Sequence, residues 1–537
     1  MIRPLFFFLL APLALPVDAR VAPADTTSAK EHHALFATTM DAWADNPALR
    51  FDGFQTSYGQ LSLYAGKQWQ PEAVVLQEGN ALWNVGVEAS SYRRLGKSVV
   101  VWGQASYQQG KRLGVEWNAS SDWRTVYPYV LADTLGGDRS TERYTFQGGC
   151  ATRLGAWTIG EELAFRAEHE WGTTDPRPRG VVTDLKARVA VSRLLLGHHL
   201  ALGGTLKLYK QTNSVEFYRE EGAIPEYQMS GLGTWYERFS GTNCNTYYQA
   251  TGWGCDLAVR PGAKQGVANG LLLSALYEKT PYRRVLSSLN ALPLQRLYVT
   301  RWQVRLGWQT AFGRADRATR LALWGSMGAE KRQGDEIIGG QSTADEYAER
   351  GRLTMYRNRL HDQHVALLAS VPLSAQHTLS AHVRVGQQDY TSSYAFPHRA
   401  MDFCKDYVEA SLQWQAGGPR WHLDTDVAVA HHRNKSGTLQ LSGDTTYTSP
   451  LTPDVASAAA AMTARATASA QASYTQWTLR VRGQWQPRCM GSFALFCDLS
   501  ASLLSRTDPE AVAATALPDR SDKRQGYRLC AAVGINF

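Results

Sequence analysis

The sequence predicts an all-β fold: a closed antiparallel transmembrane β-barrel. Three observations predict it. Apolar and polar residues alternate with period two in segment after segment, as in strands with lipid on one face and water on the other. Short and long connections alternate between those segments, as periplasmic turns and extracellular loops do. The chain is also rich in Trp and Tyr (17 and 24 of 537 residues), yet it has no second apolar stretch long enough for a membrane helix. The richest such stretch after the N-terminus, Leu271 to Leu276, is strand-sized.

The chain begins with Met1-Ile2-Arg3, an apolar run from Pro4 to Leu15, and then Val17-Asp18-Ala19. A short positive start, an apolar run below the roughly 20 residues of a spanning helix, and a small-x-small site predict a cleaved secretory signal over residues 1–19. Residues 20–51 show no alternation. They are expected to hang in the periplasm or to fold into the barrel as a small plug. At about 30 residues they are too few for a plug domain of the TonB-dependent type.

The barrel is expected over residues 52–537. Strands are traced near 52–65, 80–94, 97–109, 141–154, 156–170, 181–193, 198–215, 245–260, 265–280, 293–312, 317–332, 360–373, 376–391, 402–416, 418–434, 470–487, 492–506 and 524–537. This gives roughly eighteen strands, with 16 or 20 left open by the stretch 216–265. In one strand Tyr298, Trp302, Val304, Leu306 and Trp308 oppose Arg301, Gln303 and Arg305; in another Trp477, Leu479 and Val481 oppose Thr478, Arg480 and Arg482. Short helices are expected in two loops, one in the Ala-rich run after Asp454 and one from Pro509 to Leu517. The last strand carries Tyr527, Leu529, Val533, Ile535 and Phe537 on one face. A terminal Phe on such a strand resembles the assembly signal of bacterial outer-membrane barrels.

Alternation also sorts the charges. Lys186, Arg188, Arg301, Arg305, Arg384, Asp424, Asp426, Arg480 and Arg482 all fall on the face opposite the lipid-facing residues, so they are candidate lumen-lining groups. With a formal net charge of +8, a basic lumen that prefers neutral or anionic solutes is expected, rather than a nucleic-acid surface. His422, Asp424 and Asp426 share one face of a strand. They read either as part of a salt-bridge ladder opposite Arg480 and Arg482 or as a cation or acid–base site. The aromatic residues of one long connection, Tyr218, Tyr227, Trp235, Tyr236, Phe239, Tyr247, Tyr248 and Trp253, either fold inward as a constriction or recognise something outside.

Of the seven Cys, Cys244 and Cys255 flank an aromatic-rich stretch, Tyr247 to Trp253, and are a candidate disulfide. The others lack metal-ligand spacing, and no metal or cofactor is expected. No Gly-x-Ser-x-Gly stretch or phosphate loop occurs, so no catalytic residues are assigned and no enzyme is expected.

The signal segment, Asn46-Pro47-Ala48-Leu49, the Trp- and Tyr-rich strands and Ile535-Asn536-Phe537 together resemble an uncharacterised family of Bacteroidota outer-membrane barrel proteins. That resemblance implies fold and location and leaves function open. The first functional expectation is a non-energised channel, or an accessory component of an uptake or secretion system. Alternatives are a carrier of hydrophobic compounds like the fatty-acid transporters, which Asn46-Pro47-Ala48 also resembles, a loop-based binding platform with a closed lumen, and an outer-membrane hydrolase. Expected partners are outer-membrane lipids, the barrel-assembly machinery and components of such a system, with no nucleic acid.

Overall fold

The computed structural model describes residues 26–73, 75–216, 218, 226–235, 245–264, 267–286, 292–313, 317–339, 349–441, 453–507 and 525–537. Eighteen strands close into one antiparallel barrel. In chain order they are β1 (Tyr58–Trp69), β2 (Ala81–Leu95), β3 (Val99–Val115), β4 (Gly137–Leu154), β5 (Trp157–Trp171) and β6 (Arg179–Leu195). There follow β7 (His198–Ser214), β8 (Thr246–Pro261), β9 (Gly270–Leu286), β10 (Leu292–Phe312), β11 (Thr319–Gly339) and β12 (Glu349–Pro372). The circle is completed by β13 (His377–Tyr394), β14 (Arg399–Gly417), β15 (Trp421–Leu441), β16 (Ser473–Trp485), β17 (Ala494–Thr507) and β18 (Gln525–Asn536). β18 returns to β1, with Leu61 opposite Ile535, so each of the eighteen barrel strands has a paired neighbour on both sides.

The pleat explains the sequence pattern. Leu63, Val189, Leu206, Leu306, Val365, Val385, Leu499 and Val533 are exposed on the outer face, whereas Ala190, Ala201, Ala258, Ala322 and Ser380 on the inner face are buried. Exposed Trp157, Trp308, Trp421 and Trp485 lie towards the ends that carry the short turns; Trp69, Trp83, Trp477 and Tyr527 lie towards the ends that carry the long loops. An apolar belt between two aromatic girdles is the surface of a barrel that crosses lipid.

Strand ends differ from the tracing by five residues or more at β1, β3, β9, β11, β12 and β15, and two of these differences have a plain cause. β1 starts at Tyr58 rather than at 52, because Leu49–Asp52 form a 3₁₀ turn instead. The Arg94 guanidinium fixes this turn by donating to the carbonyls of Phe51 (2.9 Å) and Phe54 (2.8 Å). β12 starts at Glu349 rather than at 360 and pairs with β11 as far as Gly339. The expected helix after Asp454 is present as a helix over Pro453–Gln471. Residues 1–19 and Pro509 to Leu517 lie outside the described residues.

The interior is filled from both ends. On the turn side, α1 (Thr26–His33) and α2 (Leu35–Ala44) lead into the 3₁₀ turn and then directly into β1. On the loop side, the β3–β4 connection folds back: its Leu131–Ala132 pair with Tyr227–Gly231 of the β7–β8 connection, which in turn pair with Thr234–Trp235. The long helix, α3 (Pro453–Gln471), closes over them. Tyr129, Tyr227, Met229, Trp235 and Met462 then form one core with the wall residues Tyr209, Tyr248, Tyr282 and Leu297. Burying each aliphatic or aromatic side chain of this size contributes about 1.5–3 kcal/mol, which is what folds these loops inward. Tyr227, Trp235 and Tyr248 thus pack inside, while Tyr218 and Trp253 are exposed and Tyr236 and Phe239 lie outside the described residues.

Candidate functional site

The site is the lumen at the level of the N-terminal segment. In α2, Phe36, Met40 and Trp43 recur at helical spacing and share a face. Together with Leu49 they pack on Ala201, Ala258, Leu272, Ala322, Trp324, Ala366 and Leu368, which come from β7, β8, β9, β11 and β12. Small wall residues at these inward positions leave the room the helix occupies. On the opposite wall Phe51 and Phe54 pack on Tyr92, Val100, Trp102 and Ala151 of β2, β3 and β4. Residues 28–54 therefore cross the lumen from one side to the other.

Polar contacts fix this crossing at named atoms. Asn46 donates from Nδ2 to Asp256 (2.6 Å), and its Oδ1 accepts from the Ala48 N–H (3.0 Å), forming an Asx turn through Pro47. Arg188 holds Asp45 through both its carboxylate (2.9 Å) and its carbonyl, and it also meets Glu162 (3.4 Å). Arg305 donates to the Trp43 carbonyl, and Arg260 donates to that of Leu49 (2.9 Å). Gln413 of β14 accepts from the Leu35 N–H (2.6 Å) and donates to the His33 carbonyl (2.9 Å). Arginine suits this task because a fixed fork of donors reads carbonyls and carboxylates together.

Two titratable groups of the segment are perturbed. Burial raises the Asp41 carboxyl above its usual range, against the nearby Arg50 and Arg260, which lower it. Desolvation, aided by the positive fields of Arg482, His422, Arg480 and His32, holds the His33 imidazole well below its usual range. His33 Nε2 lies 2.8 Å from the Tyr58 hydroxyl. A polar cavity of about 240 Å³ adjoins this point, lined by His32, His33, Asp41, Arg50, Tyr58 and Gln60 among others.

Other candidate lumen residues are engaged with acids, Arg301 and Arg384 with one on the next strand and Lys186 with one three strands away on β9. Lys186 pairs with Glu278 (3.0 Å), Arg301 with Glu330 (2.5 Å), and Arg384 with Glu409 (2.5 Å). The register sets Asp424 opposite Arg482 and Asp426 opposite Arg480. The guanidinium groups nevertheless form their ion pairs with Asp498 of β17, Arg480 at 2.5 Å and Arg482 at 3.6 Å. Asp424 instead accepts from Gln415 (2.9 Å) and lies 2.8 Å from His422 Nε2. The cross-strand ladder therefore runs from β16 to β17, one strand further on than the sequence suggested. Asp45, Glu278, Glu330, Glu409 and Asp498 are the partners that sequence reasoning passed over, whereas Glu162 is among the inward acids the alternation already placed opposite the basic residues. Cys255 is exposed, and Cys244 lies outside the described residues.

At the end of the last strand, Tyr527, Leu529 and Val533 are exposed on the lipid side. Phe537 exchanges two backbone hydrogen bonds with Gly59 (both 2.9 Å), and Arg93 lies over its ring. The terminal residue thus fastens the seam between β18 and β1.

Among solved structures, the chain is similar to the ferric preacinetobactin receptor BauA from Acinetobacter baumannii, at 7% identity over 90% of this chain and 80% of that one (TM-score 0.38). It is also similar to the outer membrane transporter YddB from Escherichia coli, at 6% identity over 89% and 81% (TM-score 0.37). A third likeness is to FpvA of P. aeruginosa bound to heterologous pyoverdines, at 8% identity over 90% and 72% (TM-score 0.38). No curated protein sequence matches the chain. A family model does match residues 47–537, from the Asn-Pro-Ala turn to the terminal Phe. The chain belongs to that family, DUF6850, a family of unknown function.

Proposed function

We propose that this protein is a gated, non-energised transport barrel of the outer membrane, and that residues 26–54 are its plug. The observation that carries the proposal is the crossing of the lumen by that segment, held by Arg188, Arg260, Arg305 and Gln413 at backbone as well as side-chain atoms. These contacts are polar and local, so they can be exchanged for water without disturbing the strand ladder. The apolar belt with its aromatic girdles supports the outer membrane as the location, with its lipids as the surrounding solvent. The face formed by Tyr527, Leu529, Val533, Ile535 and Phe537 is the part we assign to recognition by the barrel-assembly machinery. The cavity beside the plug is polar, which favours a water-filled path over a fatty-acid-type carrier at this level.

Conductance in planar lipid bilayers tests the proposal. The full chain is expected to be nearly silent. A chain lacking residues 26–54, but still showing the heat-modifiable gel mobility of a folded barrel, is expected to give discrete steps with at least tenfold higher mean conductance. A folded deletion barrel that stays silent would leave the inward loops as a permanent closure and end the gate reading.

The gate is also expected to respond to pH. The docked state holds His33 neutral, so docking is intact above the free imidazole's range near 6.5 and weakens as pH falls below it. Tyr58, Arg480, Arg482, His422 and His32 face this imidazole, and none of them offers a negative charge to a protonated ring at neutral pH. Asp41 works in the opposite sense: its carboxyl, raised by burial, favours the docked state as pH falls, so His33→Gln separates the two contributions. Channel activity of the full chain should rise severalfold between pH 7.5 and 5.5, and His33→Gln should flatten that rise. An unchanged pH profile in the variant would remove His33 from the gate.

A further inference from the structure

A second cavity lies on the loop side, away from the plug, and has a different character. Its volume is about 400 Å³, within the range of small-molecule sites. The β1–β2, β3–β4 and β7–β8 connections and α3 roof it, over the outer parts of β11 to β14. Its walls include Trp117, Tyr127, Met229, Leu360, Tyr390 and Met401.

The charges at this cavity are already spoken for. Arg332 donates to Glu330 (2.8 Å) and to the carbonyls of Arg124 (2.8 Å) and Tyr127 (2.9 Å). Arg124 is held by Glu78. On α3, the hydroxyls of Thr463 and Thr467 donate back into their own helix, to the carbonyls of Ala459 (2.8 Å) and Thr463 (2.9 Å). Bringing an anion here would require breaking an ion pair, and the desolvation cost of a charge would remain. A neutral ring meets no such cost. It gains contact with aromatic faces and with adaptable thioethers.

The geometry points to a binding site for a small, uncharged aromatic solute, roofed by the loops at the outer mouth. This rests on the transport reading in taking the cavity as the place where cargo is first held. It separates the chemistry of capture, apolar and neutral, from the charge-paired lumen below.

Isothermal titration calorimetry on the full-length protein in detergent, with 2-naphthol as probe and a protein-free micelle blank, tests the assignment. Saturable one-to-one binding is expected, at least tenfold tighter than for 2-naphthoate or n-octanol at pH 7.5. Ala466→Trp on α3 and Leu360→Trp on β12 each fill the cavity from a different side. Each should weaken naphthol binding at least tenfold while heat-modifiable mobility reports a folded barrel. The assignment is overturned if the wild type shows no saturable heat above the blank. It is equally overturned if naphthoate or octanol binds as tightly, or if both filled and folded variants bind as the wild type does. Binding at equilibrium needs no open lumen. A silent deletion barrel whose full-length parent still binds naphthol would therefore sink the gate and leave the cavity standing, and the reverse result would do the opposite.

Discussion

Gly160→Val is expected to turn a nearly silent barrel into a conducting one. Gly160 lies on β5 where the Asn46-Pro47-Ala48 turn presses against the wall. A β-carbon at this position would lie 2.3 Å from the Ala48 nitrogen and 2.4 Å from the Pro47 carbonyl carbon. Those are backbone atoms, and no change of rotamer can clear them. The strand itself accepts valine well, since β-branched residues fit a pleated surface. The strain therefore falls on the plug. Mean bilayer conductance should rise to within a few-fold of the chain lacking residues 26–54, with folded-barrel mobility retained. A folded, silent Gly160→Val protein would show that the turn can lift from the wall without opening a path.

The second large effect is on stability. Arg482 is almost fully buried between β1 and β17. It donates to the Tyr58 hydroxyl (3.2 Å) and to Gln60 (3.0 Å), pairs with Asp498 (3.6 Å), and lies over the Phe496 ring at 4.0 Å. Arg482→Ala would remove these contacts together and leave Asp498 with Arg480 alone, at a cost of about 3 kcal/mol. Equilibrium urea unfolding in lipid vesicles should show the loss as a lower midpoint with unchanged steepness. Arg482→Lys should recover part of it, because the charge is kept and the fork is lost. A cost below about 1 kcal/mol would mean that water enters to replace the guanidinium.

The strands were legible because lipid on one face and a wet, packed interior on the other enforce period two over long runs. Where that contrast ends, so does the signal. The first part of β12, Arg350-Gly351-Arg352-Leu353-Thr354, carries a single large apolar residue in five and reads as part of a loop, although it pairs with β11. The helices of the N-terminal segment were not legible for another reason. The helices are short, and their apolar face, Phe36-Met40-Trp43, is completed only by residues spread over distant strands, four alanines together with Leu272, Trp324 and Leu368. The ion-pair partners were hidden because pairing depends on register and side-chain reach, so Arg480 and Arg482 turn to Asp498 and away from the two aspartates directly opposite.

Strand length has its own consequence. β16, β17, β18 and β1 have 13, 14, 12 and 12 residues, whereas β10, β11 and β12 have 21, 21 and 24. Crossing the hydrocarbon takes only about 9–11 residues of tilted strand. At roughly 3.3 Å per residue, the surplus on one side is tens of ångströms of sheet standing clear of the bilayer. Among the described residues, the wall of strands thus stands tallest over β10 to β12 and lowest over the four strands from β16 to β1. A molecule drifting along the cell surface meets a wall from one direction and a doorstep from the other.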